Sequence, residues 1–172
     1  MSAPANPASE NPPHPPFAKG GRRASGGGIS SRYKRPESVL VVVYTAADEV
    51  LVLLRRQPPD FWQSVTGSLR WDETDPLEAA RRELREETGL GDAVEVVDCG
   101  ATNRFPILPP WRHRYAPAVV ENIEHVFRVC LPERWSITLN PAEHGEYQWL
   151  PRAAAAAKVA SWTNRDAILA LP

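Results

Sequence analysis

Two glutamates one helical turn apart, Glu83 and Glu87, are the residues of this chain with the clearest capacity for chemistry. Neither has a basic residue four positions away, and like charges at this spacing repel each other. Clustered carboxylates are typical ligands of hard divalent cations such as Mg2+. The pair therefore predicts a metal site, with Glu86 beside it for a second ion or for orienting a water molecule.

The residues around this pair predict a helix over residues 76–88. Thr74 or Asp75 can act as its N-cap, and Pro76 fits the first helical position, where its missing N–H is harmless. Gly89 is a natural stop immediately after the last helical residue. The segment therefore has a signal at each end that fixes the position of the acidic pair.

The apolar positions of this helix form a stripe when successive residues are turned by about 100°. The stripe consists of Leu77, Ala80 and Leu84. Glu83 and Glu87 fall beside it and should be partly desolvated, whereas the other charged residues pair with each other on the far side. The alternative is that all of these are surface charges on a helix rich in Arg and Glu.

The segment 67–90 resembles the Nudix box, in which a Gly and a Glu precede the pattern Arg-Glu-apolar-x-Glu-Glu-x-Gly-apolar. The matched positions are Gly67, Glu73, Arg82, Glu83, Leu84, Glu86, Glu87, Gly89 and Leu90. Eight residues separate Glu73 from Arg82, where the family has seven. The resemblance implies that Glu83 and Glu87 are metal ligands and that Arg82 holds the loop of Glu73 through an ion pair.

Four segments outside the box are similar to the Nudix enzymes that hydrolyse dihydroneopterin triphosphate in bacterial folate synthesis. They are residues 33–36, 60–68, 112–117 and 161–165. The resemblance implies Mg2+-dependent hydrolysis of that triphosphate to the monophosphate and pyrophosphate, with Mn2+ as a possible substitute. The alternative is a Nudix hydrolase of nucleoside triphosphates or dinucleoside polyphosphates. A non-catalytic Nudix-fold binding module would be marked by loss of the box glutamates, which this chain retains.

The resemblance also carries over substrate contacts residue by residue. Lys34 and Arg55 would contact phosphates, and Thr66 lies next to the box glycine. Ser161 would contribute a hydroxyl to the substrate. The pterin pocket would be lined by Phe105, Pro106, Ile107 and Leu108, which are apolar enough to face a flat heterocycle.

A further glutamate from a loop before a late strand usually joins such a site. Residues 143–150 resemble this region, and we assign Glu143 to metal ligation or to general-base catalysis. Glu146 is the second choice. Glu124 is a third candidate, although it opens a predicted strand and could simply point to solvent.

The composition and charge of the chain limit the classes of function that we expect. The 172 residues predict a single folded domain, and the net charge of -1 argues against a general binder of polyanions. No apolar run approaches the 18 residues of a membrane span. Cys99 and Cys130 are expected to be buried, reduced thiols of a cytoplasmic protein. We expect a small-molecule triphosphate as the partner, with no stable nucleic acid and no membrane; oligomeric state stays open.

Residues 1–32 differ in kind from the rest of the chain. They hold 6 of the 18 prolines and 5 of the 10 glycines, with Phe17 as their one aromatic residue. Such a segment cannot bury enough apolar surface to order itself. The composition therefore predicts a disordered leader over 1–32 and a Nudix hydrolase domain over 33–172.

Hydrophobic patterning sets the elements that must position the site. It predicts strands over residues 38–44, 50–55, 61–68, 94–99, 124–131 and 147–150. It predicts helices over 76–88, over 151–158 and from 163 or 164 to 170, and a Pro-rich loop over 105–117. This alternation indicates an α+β protein, and it agrees with the α/β/α sandwich with a mixed β-sheet that the Nudix resemblance implies.

Overall fold

The computed structural model describes residues 32–91, 93–107 and 109–172, and within them it contains one seven-stranded sheet and four helices. The strands are β1 (Glu37–Thr45), β2 (Glu49–Arg55), β3 (Trp62–Gln63), β4 (Val65–Ser68), β5 (Val97–Pro106), β6 (Glu121–Leu131) and β7 (His144–Pro151). The helices are α1 (Pro76–Thr88), α2 (Pro109–Arg112), α3 (Arg152–Lys158) and α4 (Trp162–Leu169). The predicted leader lies outside the described residues except for Arg32, so its boundary stays a prediction.

Strand β1 organises the sheet. Its whole length pairs in parallel with β6, from Glu37 opposite Ile123 to Thr45 opposite Leu131. Its other edge is shared, because β2 pairs with it only near Tyr44 while β4 pairs antiparallel with its first half. The strands β2 and β4 therefore share this edge of β1. Strand β7 pairs with β2 along its whole length, and β3 pairs with Leu53 and Leu54 of β2. The predicted mixed sheet is confirmed.

Both faces of the sheet are covered, as the near-continuous apolar run of β1 requires. Val41 and its alternate neighbours belong to one core with Leu84 of α1. Val42 points the other way and belongs to a second core with Ala155 of α3 and Ile168 of α4. Helices on opposite faces of one sheet make the predicted α/β/α sandwich, and α1 is held against the strand that precedes it. Every helix within the described residues is too short or too polar to cross a lipid bilayer.

Helix α1 has the bounds that its sequence predicts. The Asp75 side chain accepts a hydrogen bond from the Leu77 N–H at 2.9 Å and caps the N-terminus. Gly89 ends the helix in the left-handed region with φ of 73°, a conformation that glycine adopts without strain. The two ends therefore fix the rotation at which Glu83 and Glu87 face the sheet.

Other boundaries differ from the prediction. The predicted strand 61–68 is divided at Ser64, whose N–H donates to Asn164 Oδ1 at 2.6 Å instead of joining a ladder. The predicted strand 94–99 starts later and runs on as β5 to Pro106, so the predicted loop 105–117 is shorter and contains α2. Pro106 is tolerated because β5 is the edge strand of the sheet.

Candidate active site

The two α1 glutamates are buried against strand β4. Glu83 is 1% exposed and Glu87 is 0% exposed. Glu87 Oε2 accepts a hydrogen bond from the Thr66 N–H at 3.4 Å. Glu83 lies against Gly67, where a Cβ would overlap its carboxyl group. The box glycine is therefore required for space, and the interpretation of these residues as exposed surface charges is wrong.

Arg82 forms the predicted ion pair with Glu73. Its Nε donates to Glu73 Oε1 at 2.5 Å and its Nη2 donates to Glu73 Oε2 at 2.8 Å. The same guanidinium also donates to the Ser68 carbonyl at 3.1 Å and contacts Glu83. Burial raises the pKa of Glu73, but the hydrogen bonds from Arg82 and from the Arg70 N–H lower it further, so the net pKa is below its ordinary value. The additional residue before α1 does not disrupt this contact.

Glu86 lies at the outer rim of the site. Its Oε1 accepts from Arg70 Nη2 at 3.0 Å, and its Oε2 lies 3.5 Å from Arg82 Nη1. Its side chain is 31% exposed, in contrast to its buried neighbour Glu87. Glu86 is therefore oriented by two arginines beside the buried pair, which suits the predicted role of a third carboxylate.

Strand β7 begins at the acidic end of α1. Glu87, Glu143 and His144 each place a ligand-type atom within 4.8 Å of the others. His144 Nε2 lies 3.4 Å from Glu87 Oε2. Glu143 Oε1 accepts from Asn140 Nδ2 at 3.3 Å, whereas its Oε2 is buried and has no hydrogen-bond partner among the described residues. A buried carboxylate oxygen aimed at other ligand-type atoms fits a bound divalent cation.

Three cations stand beside these acids. Burial, with Arg114 as the next largest influence, lowers the pKa of Lys34 to about 7, while Glu83 and Glu143 act in the opposite direction. Burial also lowers the pKa of Arg55, whereas the charges of Glu87 and Glu143 act in the opposite direction. Arg55, Arg114 and Glu143 line a cavity of about 520 Å3. The site therefore combines carboxylates for a metal with cations for an anionic ligand.

The remaining predicted substrate residues lie in different surroundings. Thr66 is buried on β4, and its hydroxyl accepts from Gln63 Nε2 at 3.3 Å. Phe105 and Ile107 are buried near the end of β5, and Pro106 between them is exposed. Ser161 is buried as the N-cap of α4, where its Oγ accepts from the Asn164 N–H at 3.2 Å. Leu108 lies outside the described residues.

The three late glutamates lie in different surroundings. Glu143 is beside Glu87, whereas Glu146 is exposed on β7 and accepts from Gln148 Nε2 at 2.8 Å. Glu124 is 2% exposed, so the expectation that it points to solvent is wrong. It lies on β6, a strand that carries none of the residues of the acidic cluster.

Sequence reasoning assigned no individual role to His144 or to Arg114. His144 is buried beside Glu87, and the signal for it was its position next to Glu143. Arg114 is brought to the site by the Lys34 N–H, which donates to the Arg114 carbonyl at 2.8 Å. That contact joins residues eighty positions apart, so no local pattern could indicate it.

A helix that carries a buried acidic pair and follows a glycine-bearing strand, on an α/β/α sandwich, defines a Nudix-type domain. The family model described as NUDIX domain matches residues 34–171. The chain therefore belongs to the Nudix family, and it is a Nudix hydrolase. Hydrolases of this family typically use a divalent metal, as the cluster of Glu87, Glu143 and His144 permits.

Individual relatives and solved structures are similar to this chain over most of its length. The chain is 48% identical over 140 residues to dihydroneopterin triphosphate diphosphatase of Escherichia coli K12, covering 79% of this chain and 91% of that one. It is 40% identical over 144 residues to the Haemophilus influenzae protein of the same name, covering 81% and 89%. The solved structure of the E. coli dihydroneopterin triphosphate pyrophosphohydrolase has a TM-score of 0.72 and 47% identity, covering 79% and 94%. A Caenorhabditis elegans Ap4A hydrolase, with a TM-score of 0.60 and 18% identity, shares the fold.

Proposed function

We propose that this protein hydrolyses dihydroneopterin triphosphate to dihydroneopterin monophosphate and pyrophosphate with Mg2+. The observation that carries the chemistry is the convergence of Glu83, Glu87 and Glu143 with the cations Lys34 and Arg55. The substrate is supported by the relatives of that name, which align over nearly their whole length. The bond cleaved is the anhydride between the α and β phosphates.

The proposed metal ligands are the buried carboxylates of α1 and Glu143, which immediately precedes β7. Glu83 and Glu87 face one region of β4, and a ligand-type atom of Glu143 lies within 4.8 Å of one of Glu87. A divalent ion, when bound, supplies charge neutralisation at the phosphates and orientation of the attacking water. We assign Mg2+ because an all-oxygen set of this kind suits it, although His144 is close enough to admit Mn2+.

The proposed phosphate ligands are the cations on the other side of the site. Lys34 and Arg55 are half-buried, and Arg114 lines the same cavity as Arg55. A triphosphate restores a favourable environment for these partly desolvated cations, so binding energy is available for positioning the anhydride. Trp111 also lines this cavity.

We assign proton transfer to acidic side chains that are not fully occupied in coordinating a metal. Glu143 Oε1 is anchored by Asn140, and its buried Oε2 can accept a proton from the attacking water. Glu86, held by Arg70 and Arg82, is the second candidate for orienting that water. The new P–O bond forms as the anhydride bond breaks, and pyrophosphate leaves.

The pterin is proposed to bind where β5 ends. Phe105 and Ile107 supply buried apolar surface, and Pro106 and Leu108 complete the assigned segment. Thr66 and Ser161 are the proposed polar contacts, although both hydroxyls also serve hydrogen bonds within the protein. We also propose a cytoplasmic location and a free small-molecule substrate. Cys99 is partly exposed and Cys130 is exposed, so the expectation that both are buried is wrong. Both are free thiols, which is consistent with a reducing compartment.

A steady-state comparison tests the proposal. Pyrophosphate release is measured with dihydroneopterin triphosphate, the common nucleoside triphosphates and dinucleoside polyphosphates, each with Mg2+ and with Mn2+. We expect the highest kcat/KM for dihydroneopterin triphosphate and no turnover in excess chelator. A higher kcat/KM for a nucleotide would assign the protein to another Nudix substrate class, and no turnover of any member would support a binding module.

A further inference from the structure

A row of polar side chains crosses the sheet on the face that α4 covers. Ser68 of β4 is the register partner of Ser38 on β1, and Ser38 is the partner of Glu124 on β6. Asn103 of β5 is in turn the partner of Glu124. Register partners share a face, and neighbouring strands lie about 4.8 Å apart, so Glu124 is roughly 10 Å from Ser68.

One end of this row lies at the proposed phosphate site. Lys34 Nζ donates to Ser68 Oγ at 3.4 Å, and the same ammonium lies in the fields of Glu83 and Glu143. Gly67, which contacts Glu83, points to the opposite face from Ser68 because successive strand residues alternate. The row therefore leads away from the metal ligands, and Glu124 is not one of them.

Glu124 is a buried carboxylate that has no cationic partner among the residues that the structure describes. It accepts hydrogen bonds from Asn103 Nδ2 at 3.3 Å and from the Thr163 hydroxyl, and both donors are neutral. Within the described residues no cation contributes to its electrostatics, and burial raises its pKa to about 7. An ionised carboxylate can accept about four hydrogen bonds, so it has capacity for two more. An arrangement of this kind is unfavourable for stability and needs another explanation.

The neighbours of Glu124 match a flat ligand with adjacent donors. Asn122 lies two residues earlier on the same face, and its Oδ1 is buried without a hydrogen-bond partner among the described residues. Its Nδ2 donates to Ser38 Oγ at 2.7 Å, so the acceptor oxygen is fixed. Phe105 is the register partner of Asn122 and presents a buried aromatic ring on that face.

We propose that Glu124 recognises the 2-amino-4-oxopyrimidine edge of the pterin, accepting hydrogen bonds from the 2-amino group and the adjacent ring N–H. Asn122 Oδ1 is placed to accept the second hydrogen of the amino group, and Phe105 packs on the ring. This assignment rests on the proposed function and names the residue that selects its substrate. Two neighbouring N–H donors satisfy the carboxylate oxygens as a guanidinium would, without requiring a full charge.

The test compares Glu124→Gln with the wild-type protein. The amide keeps the shape but replaces one acceptor by a donor, so kcat/KM for dihydroneopterin triphosphate should fall about 30-fold, mainly through KM. Guanine carries the same donor edge, and hypoxanthine lacks its amino group. As competitive inhibitors, dGTP should therefore bind the wild-type protein about 10-fold more tightly than dITP, and Glu124→Gln should bind both equally.

Glu121→Gln is the matched control. Glu121 is exposed on β6, three residues before Glu124 and therefore on the opposite face of the strand, and its replacement should change none of these values. Equal kcat/KM for Glu124→Gln and wild type, or equal inhibition of the wild type by dGTP and dITP, overturns the assignment and leaves the proposed function standing. The inhibitor comparison decides even if the variant does not fold. Absence of dihydroneopterin triphosphate turnover by the wild type overturns the proposed function and this assignment with it.

Discussion

At the residue scale, the acids of α1 are distinguished by their contacts. Glu86 is partly exposed and paired with two arginines, whereas Glu87 is buried between the Thr66 N–H and His144. A buried carboxylate is unfavourable unless a ligand or hydrogen bonds compensate for its lost hydration. The difference in burial separates the residue that would hold a metal from the residue at the rim.

Replacing Glu87 by Gln should abolish most of the activity. The amide is isosteric but neutral, so it weakens the metal site, and kcat should fall about 100- to 1000-fold. Pyrophosphate release with Mg2+ measures the effect, and circular dichroism checks the fold. Glu78→Gln, on the exposed face of the same helix and paired with Arg81, is the control. Turnover equal to wild type in Glu87→Gln would remove this residue from the mechanism.

Gly67→Ala tests whether the glycine provides space for Glu83. A methyl group there would overlap the Glu83 carboxyl, and this side chain must move because it is the nearest neighbour. We expect the affinity for Mg2+ to fall about 10-fold or more, measured by calorimetry, with kcat/KM falling in parallel. Gly91→Ala, where an added methyl meets nothing within 4 Å, should retain wild-type metal affinity. Similar affinities for both variants would show that the close approach has no role.

At the element scale, the loop between β4 and α1 is held from three sides. Arg82 binds Glu73 through both guanidinium nitrogens, and Arg35 donates to the Arg70 carbonyl at 3.2 Å and to the Glu73 carbonyl. Trp71 Nε1 donates to the Tyr33 carbonyl at 2.8 Å. The loop is therefore positioned by Arg82 of α1 and by Arg35 and the Tyr33 carbonyl, which both belong to the segment before β1.

Arg82→Lys should loosen this loop although the charge is kept. A lysine cannot reproduce the two parallel hydrogen bonds to Glu73, so we expect a loss of about 1–2 kcal/mol in the free energy of unfolding. Hydrogen exchange of the 70–75 amides should increase more than that of β1. Arg81→Lys, on the exposed side of α1, is the control. Unchanged exchange in residues 70–75 would contradict the role of Arg82 as the holder of the loop.

The elements that sequence predicted best are those with local signals. Helix α1 carries its own cap, its proline and its terminal glycine, so the acidic pair could be placed before any tertiary contact was known. The break at Ser64 depends on Asn164, and His144 meets Glu87 only through the pairing of β7 with β2. Long-range contacts of this kind leave no periodic trace in the chain, which is why the second half of the site was incomplete.

At the scale of the whole molecule, charge is divided between the two faces of the sheet. The metal-ligand candidates Glu83 and Glu87 lie on the α1 face, whereas Glu124 lies on the face covered by α4. A bound cation can compensate for the burial of Glu83 and Glu87. Neutral hydrogen-bond donors of a ligand can compensate for the burial of Glu124. We therefore expect these buried functional groups to lower the free energy of unfolding of the domain, as groups in functional sites commonly do.

Glu124 makes this loss measurable through pH. Burial raises its pKa in the folded protein from 4.5 to about 7, so the folded state holds this proton more tightly than the unfolded state. The protonated Glu124 carboxyl therefore contributes to the free energy of unfolding. This contribution is fully present below the pKa of the unfolded state, 4.5, and is lost as the pH rises through the pKa of the folded state, about 7. A difference of this size corresponds to about 3 kcal/mol. Glu124→Gln cannot ionise and avoids that loss.

The free energy of unfolding of Glu124→Gln, relative to wild type, should therefore rise by about 3 kcal/mol between pH 4.5 and pH 8. Urea unfolding in chelator at several pH values measures this difference, and comparing it across pH cancels the titration of all groups common to both proteins. Glu121→Gln, exposed on the same strand, is the control and should show no comparable trend. A constant difference between Glu124→Gln and wild type would contradict a carboxylate that remains buried and ionises only near neutral pH, because only that titration separates the two proteins.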